Sequence, residues 1–162
     1  MINVRPAIAL DAPSMARLLN PIIEDGSTTA ITTKVTGNIL VSWMSDKYDR
    51  DAWHVAVNDS EEVVGFQWIA QGGDYLPPEA AEIATFVRIG QTGLGIGSKL
   101  FDATKRAAKD LGYAWINANI RADNEGGLIY YQSRGFQDYG RIEGYEMANG
   151  QKVDKILKRY DL

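Results

Sequence analysis

Apolar residues recur every three or four positions in several parts of the chain, which is the spacing of an amphipathic helix. The first such segment opens at Asp11, an N-cap residue followed by Pro13 in the first turn, and it ends near Gly26. Glycine also marks the ends of later helices, because it adopts the left-handed conformation of a C-terminal cap. Three further helices are predicted, one beginning at Thr36, one from near Leu100 to Gly112, and one from Asp123-Asn124 to Gly135.

Other segments alternate between apolar and polar residues, as half-buried strands do. At Trp115 and Ile116 large apolar residues point to both faces, so we expect that strand to be buried. Asn149-Gly150 is a strong signal for a two-residue hairpin turn. The predicted strands are a hairpin of 53–57 and 63–68, single strands at 82–89 and 113–120, and a C-terminal hairpin of 141–147 and 153–160.

The order of these elements is helices, a hairpin, then a strand, a glycine-rich loop at residues 90–97 (the glycine loop), a helix, a strand, a helix and a hairpin. Such an order is typical of an α/β (mixed α+β) fold, in which a mixed sheet carries helices on its faces. No repeat, charge block or low-complexity segment interrupts residues 1–162, so we expect a single domain. At this length about 70% of the surface of the unfolded chain can be buried, which is enough for a core without disulfides or metals.

Composition excludes several chemistries. The chain has no cysteine and one histidine, which rules out thiolate nucleophiles and cysteine or multi-histidine metal sites, so we expect no metal. His54 lies on a predicted strand away from the glycine-rich segment, and we interpret it as structural. The four tryptophans are expected in the core: Trp43, Trp53, Trp68 and Trp115.

The charge balance also limits the partners. With 17 basic and 21 acidic residues the net charge is −4, which argues against a nucleic-acid partner. No apolar run approaches the ~18–20 residues of a membrane span, so no membrane partner is expected. The residues from Met1 to Pro6 lack the charged and apolar regions of a secretory signal, and we therefore expect a cytoplasmic protein.

Four glycines lie close together between Gly90 and Gly97, after a predicted strand and before a predicted helix. Glycines let a backbone approach an anion closely, and the free N–H groups of the helix start point toward it. A phosphate or pyrophosphate is the natural ligand, and a glycine-rich turn without a ligand is the alternative. Ser98 stands where the dinucleotide fingerprint requires its third glycine, and Ser98-Lys99 replaces the Lys-Ser of a nucleoside-triphosphate loop, so both of those motifs are excluded.

This segment resembles the coenzyme loop of the GNAT N-acetyltransferases, in which a strand, a Gly-x-Gly loop and a long helix hold the pyrophosphate of acetyl-CoA. The matching residues run from Val87 through Gly93-Leu94-Gly95-Ile96-Gly97-Ser98. A second block, Asn124 followed by Tyr131-Gln132-Ser133-Arg134-Gly135-Phe136, is similar to the Asn…Tyr-x-x-x-Gly-Phe block of the family. Further stretches near residues 5–12, 20–25 and 150–154 resemble the phosphinothricin acetyltransferase-like branch, so the resemblance covers nearly the whole chain.

The resemblance implies a mostly antiparallel central sheet with helices on both faces, and acetyl-CoA as co-substrate. It implies transfer of an acetyl group to the primary amine of a small molecule, such as an amino acid or an analogue, by direct attack on the thioester. Members of the family often form dimers, so a homodimer is one of the oligomeric states that the sequence leaves undecided. Two alternative functions also stay open: a coenzyme A-binding module without turnover, since Thr92 replaces a usual Gln or Arg, and a transferase of a longer acyl group.

The resemblance also implies site residues. Glu82 is the candidate base for the amine and Tyr131 the candidate acid for the departing thiolate, whereas a solvated strand-edge glutamate and a core tyrosine are their alternative roles. Ser98 and Asn124 are each expected to cap a helix or to contact the coenzyme. The implied coenzyme-binding residues are Phe86, Val87 and Arg88 through main-chain N–H groups, then Gly93, Leu94, Gly95, Ile96, Gly97, Ser98 and Asn124.

Overall fold

A computed structural model of the chain describes residues 1–45 and 50–162. Its strands are β1 (Asn3–Pro6), β2 (Ala52–Val57), β3 (Val63–Gln71), β4 (Ala80–Val87), β5 (Trp115–Arg121), β6 (Gln137–Glu146) and β7 (Lys152–Asp161). Its α-helices are α1 (Ala12–Asp25), α2 (Gly37–Met44), α3 (Ile96–Asp110) and α4 (Glu125–Ser133). Every predicted helix and strand is present. The sequence pattern does not predict β1, because a strand of four residues offers too few positions to show alternation.

The strands form one seven-stranded sheet in the order β1-β2-β3-β4-β5-β7-β6. Neighbouring strands are antiparallel everywhere except between β4 and β5, which are parallel. The connection between this parallel pair contains α3, since parallel neighbours cannot be joined by a tight turn. The mixed, mostly antiparallel sheet that the family resemblance implies is therefore confirmed.

The parallel strands β4 and β5 are paired over only part of their length. Ala80–Ile83 pairs with Trp115–Ala118, but β4 continues to Val87 and β5 continues to Arg121. We call the space beside residues 84–87 of β4, on the side of β5, the β4–β5 gap. Backbone groups that leave a ladder need other hydrogen-bond partners, so the gap is a place where a ligand can complete the sheet.

One face of the sheet packs against α1 and α2 around an aromatic cluster. Trp53 and Trp68 stack with ring centroids 4.2 Å apart, and Trp43 of α2 lies 5.9 Å from Trp68. On β5, Trp115 is buried and packs edge-on against Tyr139. The predicted packing role of the four tryptophans is confirmed.

The other face packs against α3 and α4. On β3, a Cβ atom built at Gly65 would lie 2.9 Å from Cγ2 of Ile96 and 3.3 Å from Cδ1 of Leu100, both in α3. It would also lie 3.2 Å from the carbonyl oxygen of Phe86. The missing side chain therefore lets the first turns of α3 sit directly on the sheet, and this contact positions the glycine loop that enters α3.

The C-terminal hairpin differs from the prediction at both ends of β6. The strand begins at Gln137 rather than at Arg141. The Met147 N–H donates to the Gln151 carbonyl (2.8 Å), which leaves a loop of residues 148–150. The prediction of a two-residue turn is therefore wrong, because the loop has three residues. The Asn149 side chain accepts from the Gln151 N–H (3.0 Å) and Gly150 adopts φ +87°, and these two features close a three-residue loop.

We expect Gly65→Ala to lower the free energy of unfolding by about 1–3 kcal/mol, because the added methyl group overpacks the contact between β3 and α3. Gly73→Ala is the matched control, since a Cβ at that position meets no atom within 4 Å and its φ is not in the left-handed region. Urea denaturation of both variants measures the difference. Equal stability of the two variants would contradict the close packing of α3 on β3.

Candidate active site

The glycine loop enters α3 with its backbone exposed. Gly93 and Gly95 adopt left-handed conformations with φ +84° and +80°, and a Cβ at either position meets no atom within 4 Å. Gly95 is the N-cap of α3, and it has no side chain to cap the helix. The first N–H bonded within the helix is that of Lys99, which donates to the Gly95 carbonyl (3.2 Å). The N–H groups of residues 96–98 therefore have no acceptor within the helix and are able to bind an anion.

Side chains of this loop point in different directions. Leu94 is 68% exposed, whereas Ile96 is buried with Leu100 under the sheet. Ser98 is the third residue of α3, and Gly95 occupies the N-cap position. The alternative that Ser98 caps the helix is therefore wrong, and its contact with the coenzyme stays a prediction.

Gly97 is in contact with α4. A Cβ at Gly97 would lie 2.6 Å from the Cε1 atom of Tyr130, so glycine is needed for the approach of the two helices. The Tyr130 hydroxyl donates to the Gly97 carbonyl oxygen (2.7 Å). Burial raises the pKa of Tyr130 to about 12. The Tyr130-Tyr131 pair in the sequence is the signal that could have identified this second tyrosine.

Tyr131 reaches β4 from α4. Its hydroxyl lies 2.7 Å from Oγ1 of Thr85, and Nε2 of Gln67 donates to the same Thr85 oxygen (2.8 Å) and to the Tyr130 hydroxyl (3.1 Å). The ring packs with Phe136 in the core, and burial raises the pKa of Tyr131 above its usual range. The residue is thus a buried, protonated phenol whose only polar atom lies at the edge of the β4–β5 gap.

Glu82 lies in a polar cluster on the opposite face of the sheet. The Tyr75 hydroxyl donates to its carboxylate, and Nδ2 of Asn117 donates to its Oε1 (3.4 Å). Nδ2 of Asn117 and of Asn119 also approach the Tyr75 hydroxyl, at 3.1 and 3.3 Å. Tyr139 in turn donates to Oδ1 of Asn117. Two asparagines that alternate with apolar residues in β5 were the sequence signal that could have identified this cluster.

The surroundings of Glu82 favour the protonated form of its carboxyl group. Burial raises the pKa of the Glu82 carboxyl, while the hydrogen bonds from Tyr75 and Asn117 and the charge of Lys155 act in the opposite direction. Burial likewise lowers the pKa of Lys155. A carboxylate with a raised pKa is a better proton acceptor for an amine, and such shifts are frequent at catalytic sites. The solvated strand-edge role that was the alternative for Glu82 does not fit this environment.

The two candidate catalytic groups lie on opposite faces of β4, with Glu82 just before the β4–β5 gap and the Tyr131 hydroxyl at Thr85 beside it. Glu82 and Thr85 are three residues apart on β4, so their side chains project from opposite faces of the sheet. Glu82 and Tyr131 therefore do not touch, yet the charge of Glu82 contributes to the raised pKa of Tyr131.

The main-chain donors on β4 are not equivalent. The Arg88 N–H donates to the Val64 carbonyl (2.9 Å), and alternation in an antiparallel ladder turns the Phe86 N–H toward β3 as well. The N–H groups of Thr85 and Val87 consequently face the gap. The prediction of three available donors at Phe86, Val87 and Arg88 is thus too broad, since only the Val87 N–H among them faces the gap.

Asn124 has the capping role that was predicted for it. Its Oδ1 accepts from the Gly127 N–H (3.0 Å), and its Nδ2 donates to the Thr28 carbonyl (3.2 Å). A contact between Asn124 and the coenzyme stays a prediction. His54 lies apart from this site, in a cleft of about 260 Å³ between the β1–β2 edge and α3, and burial lowers its pKa.

Residues 1–45 and 50–162 contain no group of three His, Asp or Glu side chains able to hold a metal ion. Among the helices in these same ranges, none is long and apolar enough to cross a membrane.

Residues 25–136 match the family described as Acetyltransferase (GNAT) family. The chain belongs to this family. The matched range contains the glycine loop, Glu82 and Tyr131. The chain is therefore an acetyltransferase, and acetyl-CoA is its co-substrate.

Relatives of known name match along the whole chain. The Bacillus subtilis protein YwnH, a candidate phosphinothricin acetyltransferase, is 27% identical over 162 residues, which cover 98% of each chain. The L-methionine sulfoximine/L-methionine sulfone acetyltransferase of Pseudomonas aeruginosa is 25% identical over 175 residues, which cover 99% of this chain and 94% of that protein.

Solved structures of similar proteins confirm the fold. An N-acetyltransferase from Staphylococcus aureus Mu50 superposes with a TM-score of 0.88 at 20% identity, with 99% of this chain and 98% of that chain covered. A phosphinothricin acetyltransferase from Sinorhizobium meliloti, in complex with AcCoA, superposes with a TM-score of 0.87 at 17% identity, with 99% and 88% covered.

We expect Tyr75→Phe to raise the pKa of Glu82 further, because the variant removes a hydrogen bond that stabilises the carboxylate. Tyr160→Phe is the control, since Tyr160 packs against Phe101 and Phe136 on the opposite face of the sheet. Carbon-detected NMR titration of the glutamate carboxyls measures the pKa. A Glu82 titration that is the same in both variants would show that Tyr75 does not stabilise the carboxylate.

Proposed function

We propose that the chain transfers the acetyl group of acetyl-CoA to the primary amine of a small molecule, by direct attack of the amine on the thioester. The observation that carries this proposal is the arrangement around the β4–β5 gap. A carboxylate with a raised pKa lies on one face of β4 and a protonated phenol lies at the other, and the Val87 N–H is turned from β3 toward the gap. These are the three groups that aminolysis of a thioester requires.

In this proposal the glycine loop holds the pyrophosphate of the coenzyme. The N–H groups of residues 96–98 supply the donors, and Gly93 and Gly95 leave space for the phosphate oxygens. The pantetheine arm then extends along residues 84–87 of β4, where the Val87 N–H points toward the thioester carbonyl oxygen. A donor in that position stabilises the negative charge that develops on the oxygen as the amine attacks.

The proposed reaction balances without a metal or a covalent enzyme intermediate. The amine nitrogen attacks the thioester carbon and loses a proton to Glu82, directly or through one water molecule. The carbon–sulfur bond breaks, and its electron pair leaves with sulfur. The Tyr131 hydroxyl protonates that sulfur, and the products are an acetylated amine and the free thiol of coenzyme A. Glu82 releases its proton to solvent, and Tyr131 regains one.

The base matters most for a basic acceptor. A lysine-like amine with a pKa of about 10.4 is mostly charged at pH 7.5, and removing its proton costs roughly 4 kcal/mol. An α-amine with a pKa of about 7.7–8.0 requires well under 1 kcal/mol. The need for a carboxylate such as Glu82 therefore depends on the pKa of the acceptor itself.

We propose a small amino acid or an amino-acid analogue as the acceptor. The Pseudomonas aeruginosa relative is named for L-methionine sulfoximine and L-methionine sulfone, both of which carry an α-amine and a carboxylate. In this chain the half-buried Lys155 ammonium lies near enough to Glu82 for each charge to shift the pKa of the other. An acceptor with both an amine and a carboxylate is complementary to that pair.

A homodimer and a cytoplasmic location remain proposals. β6 is an edge strand of the sheet and nearly all of its residues are exposed, so its free backbone groups are available to a second copy. The absence of cysteine suits a reducing compartment.

We expect acetyl-CoA at about 100 times its dissociation constant to stabilise the fold by ~2.7 kcal/mol. Gly95→Val should abolish this gain, because the new side chain fills the space beside the helix N–H groups. Gly112→Val is the control, since Gly112 ends the same helix with φ +84° in equally open space. Thermal unfolding with and without ligand separates ligand binding from backbone strain. A full ligand-induced shift in the Gly95 variant would remove the pyrophosphate assignment.

We expect Glu82→Gln to reduce the rate most at low pH, with partial recovery at high pH where solvent supplies neutral amine. The loss should be large for a lysine-like acceptor and modest for an α-amine. The measurement is a pH–rate profile of both proteins with one acceptor of each kind. Profiles offset by a constant factor at every pH would exclude Glu82 as the base.

A further inference from the structure

A chain of hydrogen bonds connects the glycine loop to the Tyr131 hydroxyl, and its direction is determined at one end. The Gly97 carbonyl can only accept, so the Tyr130 hydroxyl donates its single proton there over 2.7 Å. The Tyr130 oxygen must therefore accept from its other neighbour, Gln67, at 3.1 Å. This requirement places the amide nitrogen of Gln67, and not its oxygen, toward the two hydroxyls.

The same amide nitrogen determines what Thr85 does. It lies 2.8 Å from Oγ1 of Thr85, so its second N–H is donated to that oxygen. Thr85 retains one proton and one lone pair, and the Tyr131 hydroxyl lies 2.7 Å away. If Thr85 donates this proton, the Tyr131 oxygen accepts it and keeps its own proton free.

Gln67 has no evident structural reason to be a glutamine. The residue is fully buried, and its Oε1 has no hydrogen-bond partner among the described residues. An unpartnered buried amide oxygen disfavours the folded state, and an apolar side chain of similar length would avoid this. The two donated hydrogen bonds are what the amide contributes at this position.

We propose that Gln67 and Thr85 are positioning residues for Tyr131. Gln67 holds Thr85 as a donor to the Tyr131 oxygen, and the Tyr131 proton then points into the β4–β5 gap toward the sulfur of acetyl-CoA. This inference rests on the acid role of Tyr131 in the proposed function.

The hydrogen bond from Thr85 has its largest effect as the thiolate leaves. The carbon–sulfur bond breaks, the Tyr131 proton moves to sulfur, and negative charge appears on the phenol oxygen. In its buried site a phenolate is strongly disfavoured unless a donor faces it. Hydrogen bonds to charged oxygens are about twice as strong as neutral ones, so Thr85 stabilises this step more than the resting enzyme.

The test compares Thr85→Val and Gln67→Met with the wild type, using acetyl-CoA and its oxygen-ester analogue. We expect kcat with acetyl-CoA to fall about tenfold or more in both variants, from the loss of a hydrogen bond to a charged group. The KM for acetyl-CoA should change by less than about twofold. The loss should be larger with the oxygen ester, because an alkoxide needs protonation more than a thiolate does.

Two further variants separate this role from packing. Thr85→Ser keeps the hydroxyl and should retain most of the wild-type kcat. Thr104→Val removes a buried hydroxyl of α3 that has no partner among the described residues, and it should leave kcat unchanged with both donors. Circular dichroism and thermal unfolding verify that each variant is folded.

Equal losses with the two donors, or wild-type kcat in the Thr85 and Gln67 variants, would overturn the inference. Tyr131→Phe distinguishes this failure from that of the proposed function. If Tyr131→Phe shows the donor-dependent loss and the other two variants do not, the positioning role alone is wrong. If Tyr131→Phe is also fully active, the acid role fails with it.

Discussion

The interruption of the hydrogen-bond ladder between β4 and β5 is the feature on which the site depends. Pairing stops after Ile83 and Ala118, so the second half of β4 keeps β3 as its neighbour but presents its other side to a ligand. A continuous sheet would use those backbone donors and would separate the two faces completely. In the proposed function this interruption lets one bound thioester be reached from both faces, by Glu82 on one and by Tyr131 on the other.

Burial affects these two groups in a complementary manner. It raises the pKa of Glu82, which makes the carboxylate a better acceptor for the proton of an amine, and it raises the pKa of Tyr131, which keeps the phenol protonated. Burial disfavours the charged form of the side chain at both positions. The surrounding hydrogen bonds favour the charged forms and so act against this effect: Tyr75 and Asn117 donate to the carboxylate, and the hydroxyl of Thr85 contacts the phenol.

The sequence pattern predicted what periodicity and local motifs determine. Helices and strands, the capping role of Asn124 and the glycine-rich start of α3 all follow from residues near in sequence. The polar clusters did not, because Gln67, Thr85 and Tyr130 meet only when β3, β4 and α4 pack together. The same holds for Tyr75 with Asn117. The three-residue turn after β6 was missed for a local reason, the side-chain hydrogen bond of Asn149.

The most direct test of the account measures thiol release from acetyl-CoA across a panel of primary amines, together with the mass of the product. The account predicts that release depends on the amine, with one acetylated amine formed for each thiol released. Binding of acetyl-CoA without amine-dependent release for any member of the panel would contradict it and would favour a coenzyme-binding module. Faster release from longer acyl thioesters would contradict the assignment of acetyl as the transferred group.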